Sequence, residues 1–214
     1  MNPLEPVIDY YTGLDERLSV NEEHINTLSE DRISCQNVLN DPDKSDREKR
    51  MARYVISSLT SSASADLFEE QISKILSVEN IDTKHGWDGI DIQNNEPYEY
   101  KPTKITTRNY LGANVNINDE SEDKINNISP HKLGYDNYKA NFVIAPINKH
   151  TSEFICIYKF KEHILYRSRM EYLEESIRLR RKRIVYGTNI KKCIELSKKY
   201  NEKYYYWHNP NFIP

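Results

Sequence analysis

The segment that most constrains the fold is residues 141–160, which holds two apolar runs separated by a short polar loop. The runs are Asn141–Ile147 and Glu153–Phe160, and the residues between them read NKHTS. Short apolar runs rich in β-branched and aromatic residues, joined by a few polar residues, are typical of neighbouring strands. We therefore predict two strands that pair as an antiparallel hairpin.

Helical patterns precede and follow this hairpin. Ser19–Glu22 and Ser45–Glu48 have the capping-box pattern, in which a Ser and a Glu three residues apart each bond a backbone amide at a helix start. They predict helices over about 19–39 and from 45 through MARYVISSL. A third helix is predicted over 66–80, where apolar residues recur with helical spacing. Two more are predicted between Arg167 and Tyr200, split at YGTN.

Strand patterns occupy two further parts of the chain. Residues 86–92 and 97–101 predict two strands joined by the turn QNNE, with Pro102 ending the second. One short helix is predicted near EDKINNI, and YYYWHNPNFIP predicts a terminal strand or extended segment. The order of helices, strands and helices predicts a mixed α/β (α+β) fold, in which helices flank a central mixed β-sheet.

The length of 214 residues fits a single domain spanning 1–214. No apolar run reaches the roughly 18 residues of a membrane span, and the N-terminus does not have the pattern of a secretory signal. The cysteines, Cys35, Cys156 and Cys193, are odd in number, far apart and among apolar or helical neighbours, which predicts buried free thiols in a reducing compartment. We therefore expect a cytoplasmic, non-secreted protein with no membrane partner.

The stretch GWDGIDIQNNEPYEYK, residues 86–101, carries the candidate chemistry. On a strand, Glu99 and Lys101 share one face, while the intervening tyrosines point to the opposite layer. The turn would bring Asp88 or Asp91 alongside them. Two such carboxylates can hold Mg²⁺, which prefers oxygen ligands, and a lysine can position a water or stabilise charge on a phosphate. This pattern favours hydrolysis of a phosphodiester.

The choice between the two aspartates stays open in the sequence. Asp88 precedes Gly89, whereas Asp91 lies between two isoleucines, as an outward residue of a buried strand would. Because 88 and 91 differ in parity, both can face one site only if a bulge at Gly89 changes the alternation.

These residues resemble the motif of the PD-(D/E)xK nuclease superfamily, which includes many restriction endonucleases. Glu99-Tyr100-Lys101 matches the (D/E)-x-K element, and DGID supplies the upstream aspartate, although no proline precedes it. The helix DLFEEQISKIL matches the helix that often carries another acid, with Glu69 or Glu70 as the candidate. The resemblance covers about 64–160, which implies a restriction-endonuclease-like core between an N-terminal helical extension (1–62) and C-terminal helices with a terminal strand (161–214).

The resemblance implies a Mg²⁺-dependent endonuclease of type II restriction character, which cuts double-stranded DNA at specific sequences. Mn²⁺ is expected to substitute for Mg²⁺, and a palindromic target would be matched by a homodimer. The implied metal ligands are Asp88, Glu99 and Asp91, and the catalytic set adds Lys101 and Glu70. A structure-selective or repair nuclease with the same site, and a non-catalytic nucleic-acid-binding protein, are the alternatives.

Candidates for further DNA contacts lie outside the motif, and the alternative for each of them is a solvated surface position or an ordinary polar loop. Lys104 and Arg108 follow it closely and are candidates for phosphate contacts, and the asparagines of GANVNIND for base contacts. The net charge of −3 argues against a simple basic wrapping surface, but RLRRKR, residues 178–183, concentrates positive charge that could meet a phosphate backbone.

Overall fold

The computed structural model describes residues 13–61, 65–81, 87–106, 109–120, 140–179 and 184–212. Its helices in these ranges are α1 (Thr27–Asn40), α2 (Asp46–Thr60), α3 (Ala65–Leu76), α4 (Glu162–Arg178) and α5 (Ile190–Tyr200), with a 3₁₀ turn at Glu22–His24. Its strands are β1 (Asp15–Arg17), β2 (Glu79–Asn80), β3 (Gly89–Asp91), β4 (Glu96–Ile105), β5 (Val115–Glu120), β6 (Asn141–Asn148), β7 (Cys156–Phe160), β8 (Ile184–Thr188) and β9 (Tyr204–His208).

Seven strands form one mixed sheet in the order β1-β9-β7-β6-β4-β3-β2, and β5 and β8 form a separate antiparallel pair. In the large sheet, β4 runs parallel to β6 and β1 runs parallel to β9, while the other pairs are antiparallel. Apolar residues of α1, α2 and α3 pack on one face, and those of α4 and α5 pack on the other. The predicted α/β class, with helices flanking a central mixed sheet, is confirmed.

The predicted hairpin forms the middle of this sheet. β6 and β7 pair antiparallel, with Phe142 opposite Phe160 and Ile144 opposite Tyr158. Seven of the eight residues of β6 are buried, because helices cover both faces of the sheet. A strand buried on both sides has no polar face, and for this reason the sequence there is a continuous apolar run rather than an alternation.

One of the two capping boxes is present. Ser45 Oγ accepts from the Glu48 amide at 3.3 Å, and the Glu48 carboxylate accepts from the Ser45 amide at 2.8 Å, so α2 begins as predicted. The prediction for Ser19–Glu22 is wrong, because Asn21 caps the 3₁₀ turn and α1 begins only at Thr27. The Asn21 amide donates to the Ile75 carbonyl at the end of α3, a tertiary contact that the local pattern did not contain.

The two helices predicted for the C-terminal part are confirmed as α4 and α5, although α4 begins earlier, at Glu162, and the two are further apart than predicted. The segment between them is β8, and it pairs with β5, which occupies the predicted polar loop GANVNIND. The terminal strand is confirmed as β9, and it lies between β1 and β7, so the described ends of the chain share one sheet. The predicted helix near EDKINNI, Arg108 and residues 180–183 of the basic run lie outside the described residues. The division at 62 and 160 stays a prediction.

Pro102 does not end β4, which continues to Ile105. The Tyr98 carbonyl accepts from the Asp88 amide, and the Tyr100 amide donates to the Asp88 carboxylate, so these two groups point toward β3. Hydrogen-bonding direction repeats every two residues, and the Pro102 nitrogen therefore points to the same side. Among the described residues β3 pairs with β4 only from Glu96 to Tyr98, so a missing N–H at Pro102 breaks no strand pairing.

The three cysteines are free thiols, as predicted. Cys156 and Cys193 are buried as predicted, whereas the prediction of burial is wrong for Cys35, which is partly exposed on α1. Within the described ranges no helix has both the length and the apolar character that a bilayer crossing requires.

Candidate active site

The candidate site lies where β3 ends and β4 continues. β3 pairs with β4 over three residues, from Asp91 opposite Glu96 to Gly89 opposite Tyr98. The Asp88 amide then donates to the Tyr98 carbonyl at 2.9 Å, and its Oδ2 accepts from the Tyr100 amide at 2.6 Å. The Asp88 side chain thus takes the place that the next strand carbonyl would occupy, and its carboxylate is fixed at the edge of β4.

Glu99 and Lys101 project together from β4 beside this carboxylate. Lys101 Nζ donates to Glu99 Oε1 in an ion pair, and each side chain keeps about a quarter of its surface exposed (23% for Lys101 and 24% for Glu99). Tyr98 and Tyr100 are buried on the opposite face, as predicted, and the Tyr100 hydroxyl lies 3.2 Å from Ser73 Oγ of α3. The tyrosines anchor β4 to α3, and this anchoring fixes the direction of Glu99 and Lys101.

Glu69 of α3 also acts on this site through its charge, as does Asp66 in the first turn of the same helix. Phe68 and Ile72 pack α3 against the sheet, and Glu69, which lies beside them on the helix, is half-buried. Burial raises the pKa of Glu69 to about 7, and the nearby Asp88 carboxylate adds to the shift. Glu70 is exposed and forms an ion pair with Lys74 at 2.6 Å, so the structure does not bring Glu70 to the site.

Asp91 is also placed outside the site. Its Oδ1 accepts from the amides of Gln93 (2.9 Å) and Asn94 (3.3 Å), and its Oδ2 accepts from the Asn94 side chain at 2.9 Å. The Asn94 side chain and the two amides lower the pKa of Asp91. The carboxylate therefore stabilises the turn between β3 and β4. The pairing of β3 with β4 is regular from Gly89 to Asp91. Before it, the Asp88 amide donates to the carbonyl of Tyr98, the residue opposite Gly89, so Asp88 departs from the regular pairing while Asp91 stays in the turn.

The charges of the cluster strongly influence one another. Burial raises the pKa of Asp88 to about 6, and the Glu99 carboxylate contributes, although the Tyr100 N–H opposes the shift. Burial alone would lower the pKa of Lys101, but Glu99, Asp88 and Glu69 outweigh burial and raise the pKa. The site thus combines three partly buried acids with one lysine that keeps its proton.

The donor chemistry of this cluster fits a hard divalent cation. Carboxylate oxygens suit Mg²⁺ and Mn²⁺, and Mg²⁺ is commonly held by one or two carboxylates while it retains several waters. Asp88 and Glu99 form such a pair, and a cation between them would offset their mutual repulsion. In the described part of the chain, however, no three acidic, His or Cys side chains converge into a complete metal-binding group.

The position of Lys104 was not foreseen from the sequence. Lys104 Nζ donates to the carbonyls of Leu59 (2.6 Å) and Ser61 (2.7 Å), so it caps α2 rather than extending from the rim of the site.

The choice of Glu69 over Glu70 had a signal in the sequence. Glu69 precedes the buried Ile72 by three residues, and Glu70 precedes Lys74 by four, the spacing of an exposed ion pair.

No family model matches the sequence, and no curated protein matches it either.

Proposed function

We propose that this protein is a Mg²⁺-dependent endonuclease that hydrolyses phosphodiester bonds in double-stranded DNA at specific sequences. The observation that carries the proposal is the position of the Asp88 carboxylate at the edge of β4, bonded to the Tyr100 amide between Glu99 and Lys101. The charge of Glu69 reaches the same cluster from α3. This combination of acids and a lysine is the one on which the resemblance to PD-(D/E)xK nucleases rests.

Each side chain of the cluster has a distinct role in the proposed reaction. Asp88 and Glu99 would hold Mg²⁺, which supplies charge stabilisation and an activated water when bound. The raised pKa of Lys101 keeps its ammonium protonated near neutral pH, so Lys101 acts as a hydrogen-bond donor rather than as a base. Its ion pair with Glu99 orients it toward the space where negative charge develops on the phosphate. Glu69 adds a second carboxylate to the Asp88 side of the site.

The test is digestion of several unmodified DNAs by wild-type protein and by Glu99→Gln, Lys101→Ala and Asp88→Asn variants, with Mg²⁺ or Mn²⁺. We expect the wild type to cut and each substitution to lower the cleavage rate by a factor on the order of 10² or more, the typical cost of removing a preorganised charge-stabilising group. Binding of the same DNA without divalent metal should change little, because the fold is retained.

Asp91→Asn and Glu70→Gln are the matched controls, because each removes one carboxylate near the site but outside the cluster. Both are expected to cut at the wild-type rate. A wild-type protein that cuts no DNA with either metal would overturn the proposal and leave a non-catalytic nucleic-acid-binding role. Discrete fragments from a long duplex support sequence specificity, whereas a smear or cleavage at junctions would assign a structure-selective or repair nuclease.

A further inference from the structure

A cluster of basic side chains lies at the carboxyl ends of β4 and β6, on the face of the sheet that α1–α3 cover. Arg32 comes from α1, Lys104 from β4, and Lys149 from the loop that follows β6. Because β4 and β6 run parallel and the Lys149 amide donates to the Ile105 carbonyl at 3.0 Å, the two lysines extend from neighbouring strand ends. Positive charge thus accumulates at one corner of the sheet.

Arg32 is the central member of this cluster. Its side chain is nine-tenths buried, at 9% exposure, and its Nη1 donates to Ser152 Oγ at 3.1 Å. Its Nε is buried without a hydrogen-bond partner. No carboxylate among the described residues forms an ion pair with Arg32 or Lys149. A buried guanidinium with neither a full set of acceptors nor a counter-charge is costly, unless an anion completes it.

Lys104 brings a third positive charge close to the other two. Burial lowers the pKa of Lys104, and the charges of Arg32 and Lys149 lower it further. The hydrogen bonds from Nζ to the Leu59 and Ser61 carbonyls fix its ammonium at the end of α2. Lys104 therefore adds positive potential to the corner from a fixed position.

The loop after β6 presents Ser152 to Arg32 in a fixed conformation. Asn148 Oδ1 accepts from the amides of His150 (2.9 Å) and Thr151 (3.4 Å), and the Ser152 amide donates to the Asn148 carbonyl at 2.8 Å. The acid of this loop, Glu153, accepts from the Thr151 hydroxyl at 2.7 Å. The loop is held by its own bonds, so it does not need a ligand to form.

We propose that Arg32, Lys149 and Ser152 form a binding site for a phosphate group, with Lys104 contributing charge beside it. A guanidinium without a counter-charge, an exposed ammonium and a hydroxyl are groups that suit phosphate oxygens. The phosphate belongs either to a nucleic-acid chain or to a small phosphorylated molecule. Lys104 is three residues beyond Lys101, about 10 Å along β4 and on the opposite face, so a nucleic-acid chain would have to pass around the edge of the strand to contact both.

The experiment compares wild-type protein with Arg32→Gln and Lys149→Gln variants. Lys191→Gln is the matched control, because Lys191 is an exposed lysine at the start of α5, on the opposite face of the sheet. Inorganic phosphate should raise the melting temperature of the wild type and the control, but not that of the two cluster variants. Binding of a short DNA duplex without divalent metal is then measured over a series of salt concentrations.

If the site holds a DNA phosphate, the slope of log affinity against log salt falls by about 1 in each cluster variant and stays unchanged in Lys191→Gln. A lost response to phosphate with an unchanged slope assigns a small phosphorylated ligand. Cluster variants that match the wild type in both measurements overturn the inference. If Arg32→Gln does not fold, Lys149→Gln decides, since Lys149 is exposed.

The inference does not depend on the cleavage reaction. A protein that binds phosphate through this corner and cuts no DNA would support the site while overturning the proposed function. If the protein cuts DNA and the cluster variants match the wild type in phosphate response and salt dependence, the proposed function is supported and the phosphate site is overturned.

Discussion

At the residue scale, Asp88 combines a structural and a chemical role. Its Oδ2 satisfies the Tyr100 amide at the point where β3 no longer pairs with β4, and the same carboxylate faces Glu99 and Lys101. The two roles are separable by substitution, since an asparagine keeps an oxygen that can accept from the Tyr100 amide but carries no charge.

Asp88→Ala should therefore destabilise the protein more than Asp88→Asn does. The alanine leaves the Tyr100 amide without its acceptor, and an unsatisfied backbone donor costs about 1–3 kcal/mol. Chemical unfolding at pH 8 measures the difference in the free energy of unfolding between the two variants. Equal stabilities would mean that the Asp88–Tyr100 bond contributes nothing to the fold.

The raised pKa of Glu69 predicts a dependence of stability on pH. A carboxyl whose pKa rises from 4.5 when unfolded to about 7 when folded stabilises the folded state in its protonated form. This contribution is complete below about pH 4.5 and is lost as the pH rises to about 7. Glu69→Gln should thus have a higher melting temperature relative to wild type at pH 8 than at pH 5, without divalent metal.

Glu70→Gln is the control for this measurement, because Glu70 is exposed and outside the cluster. It should follow the wild-type pH dependence. A Glu69→Gln profile parallel to that of the wild type would show that the Glu69 carboxyl is as well solvated as Glu70.

The sequence predicts only some of these positions. Alternation along β4 places Glu99 and Lys101 on one face and buries Tyr98 and Tyr100, because that rule is local. The choice of Asp88 over Asp91 is not local. It depends on where β3 begins and on the hydrogen bond between the Asp88 carboxylate and the Tyr100 amide, twelve residues further along the chain. The turn between these two residues is stabilised by Asp91.

At the scale of elements, the contact between β3, β4 and α3 depends on Gly89. A Cβ at this position would collide with the Tyr100 hydroxyl, come within 2.9 Å of Tyr100 Cζ and lie 3.2 Å from the Glu79 carbonyl. Tyr100 in turn reaches Ser73 of α3. The glycine is therefore required by close packing between a strand and a neighbouring ring.

Gly89→Ala is expected to lower the free energy of unfolding by about 1–3 kcal/mol, the usual cost of overpacking. The rate of DNA cleavage should fall as well, because a shift of the backbone at Gly89 also displaces the preceding residue, Asp88. Tyr100→Phe removes the atom nearest to the new methyl group, so Gly89→Ala/Tyr100→Phe should be more stable than the sum of the two single effects predicts. Strict additivity of the two changes would rule out this contact as the cause.

Local signals predicted several elements correctly, whereas some elements that depend on distant contacts were not predicted. The Ser45–Glu48 box bonds only within its own helix start, and it is present. Ser19–Glu22 has the same pattern, but the Asn21 amide is bound to the Ile75 carbonyl, and the helix starts later. β5 and β8 stabilise each other by pairing with a segment far away in the chain, so the local sequence of either one does not predict a strand.

At the scale of the whole molecule, the last strand is an interior part of the sheet. β9 pairs with β1 on one side and β7 on the other, and Tyr158 of β7 stacks with Tyr204 and Tyr206 at centroid distances of 6.5 and 6.1 Å. The class of the fold followed from the order of the elements. The strand order did not, because the parallel β1–β9 pair joins segments almost 190 residues apart.

Deletion of residues 204–214 should therefore abolish cooperative unfolding of the entire chain. The deletion exposes the edge of β7 and removes the fully buried Tyr204, so the loss extends to β6 and β4. Thermal unfolding followed by circular dichroism measures the effect, and deletion of only the last two residues is the control. A truncated protein with a sharp transition near the wild-type temperature would contradict this prediction.

The proline in β4 has a consequence for the protein at high concentration. Beyond Tyr98, no described strand covers one edge of β4, and a bare edge can recruit a strand from another copy and start aggregation. Pro102 offers no N–H on that side, and the charges of Lys101 and Lys104 flank it. Among the described residues, the uncovered edge beside the acidic cluster is in this way protected against pairing with a strand of another copy.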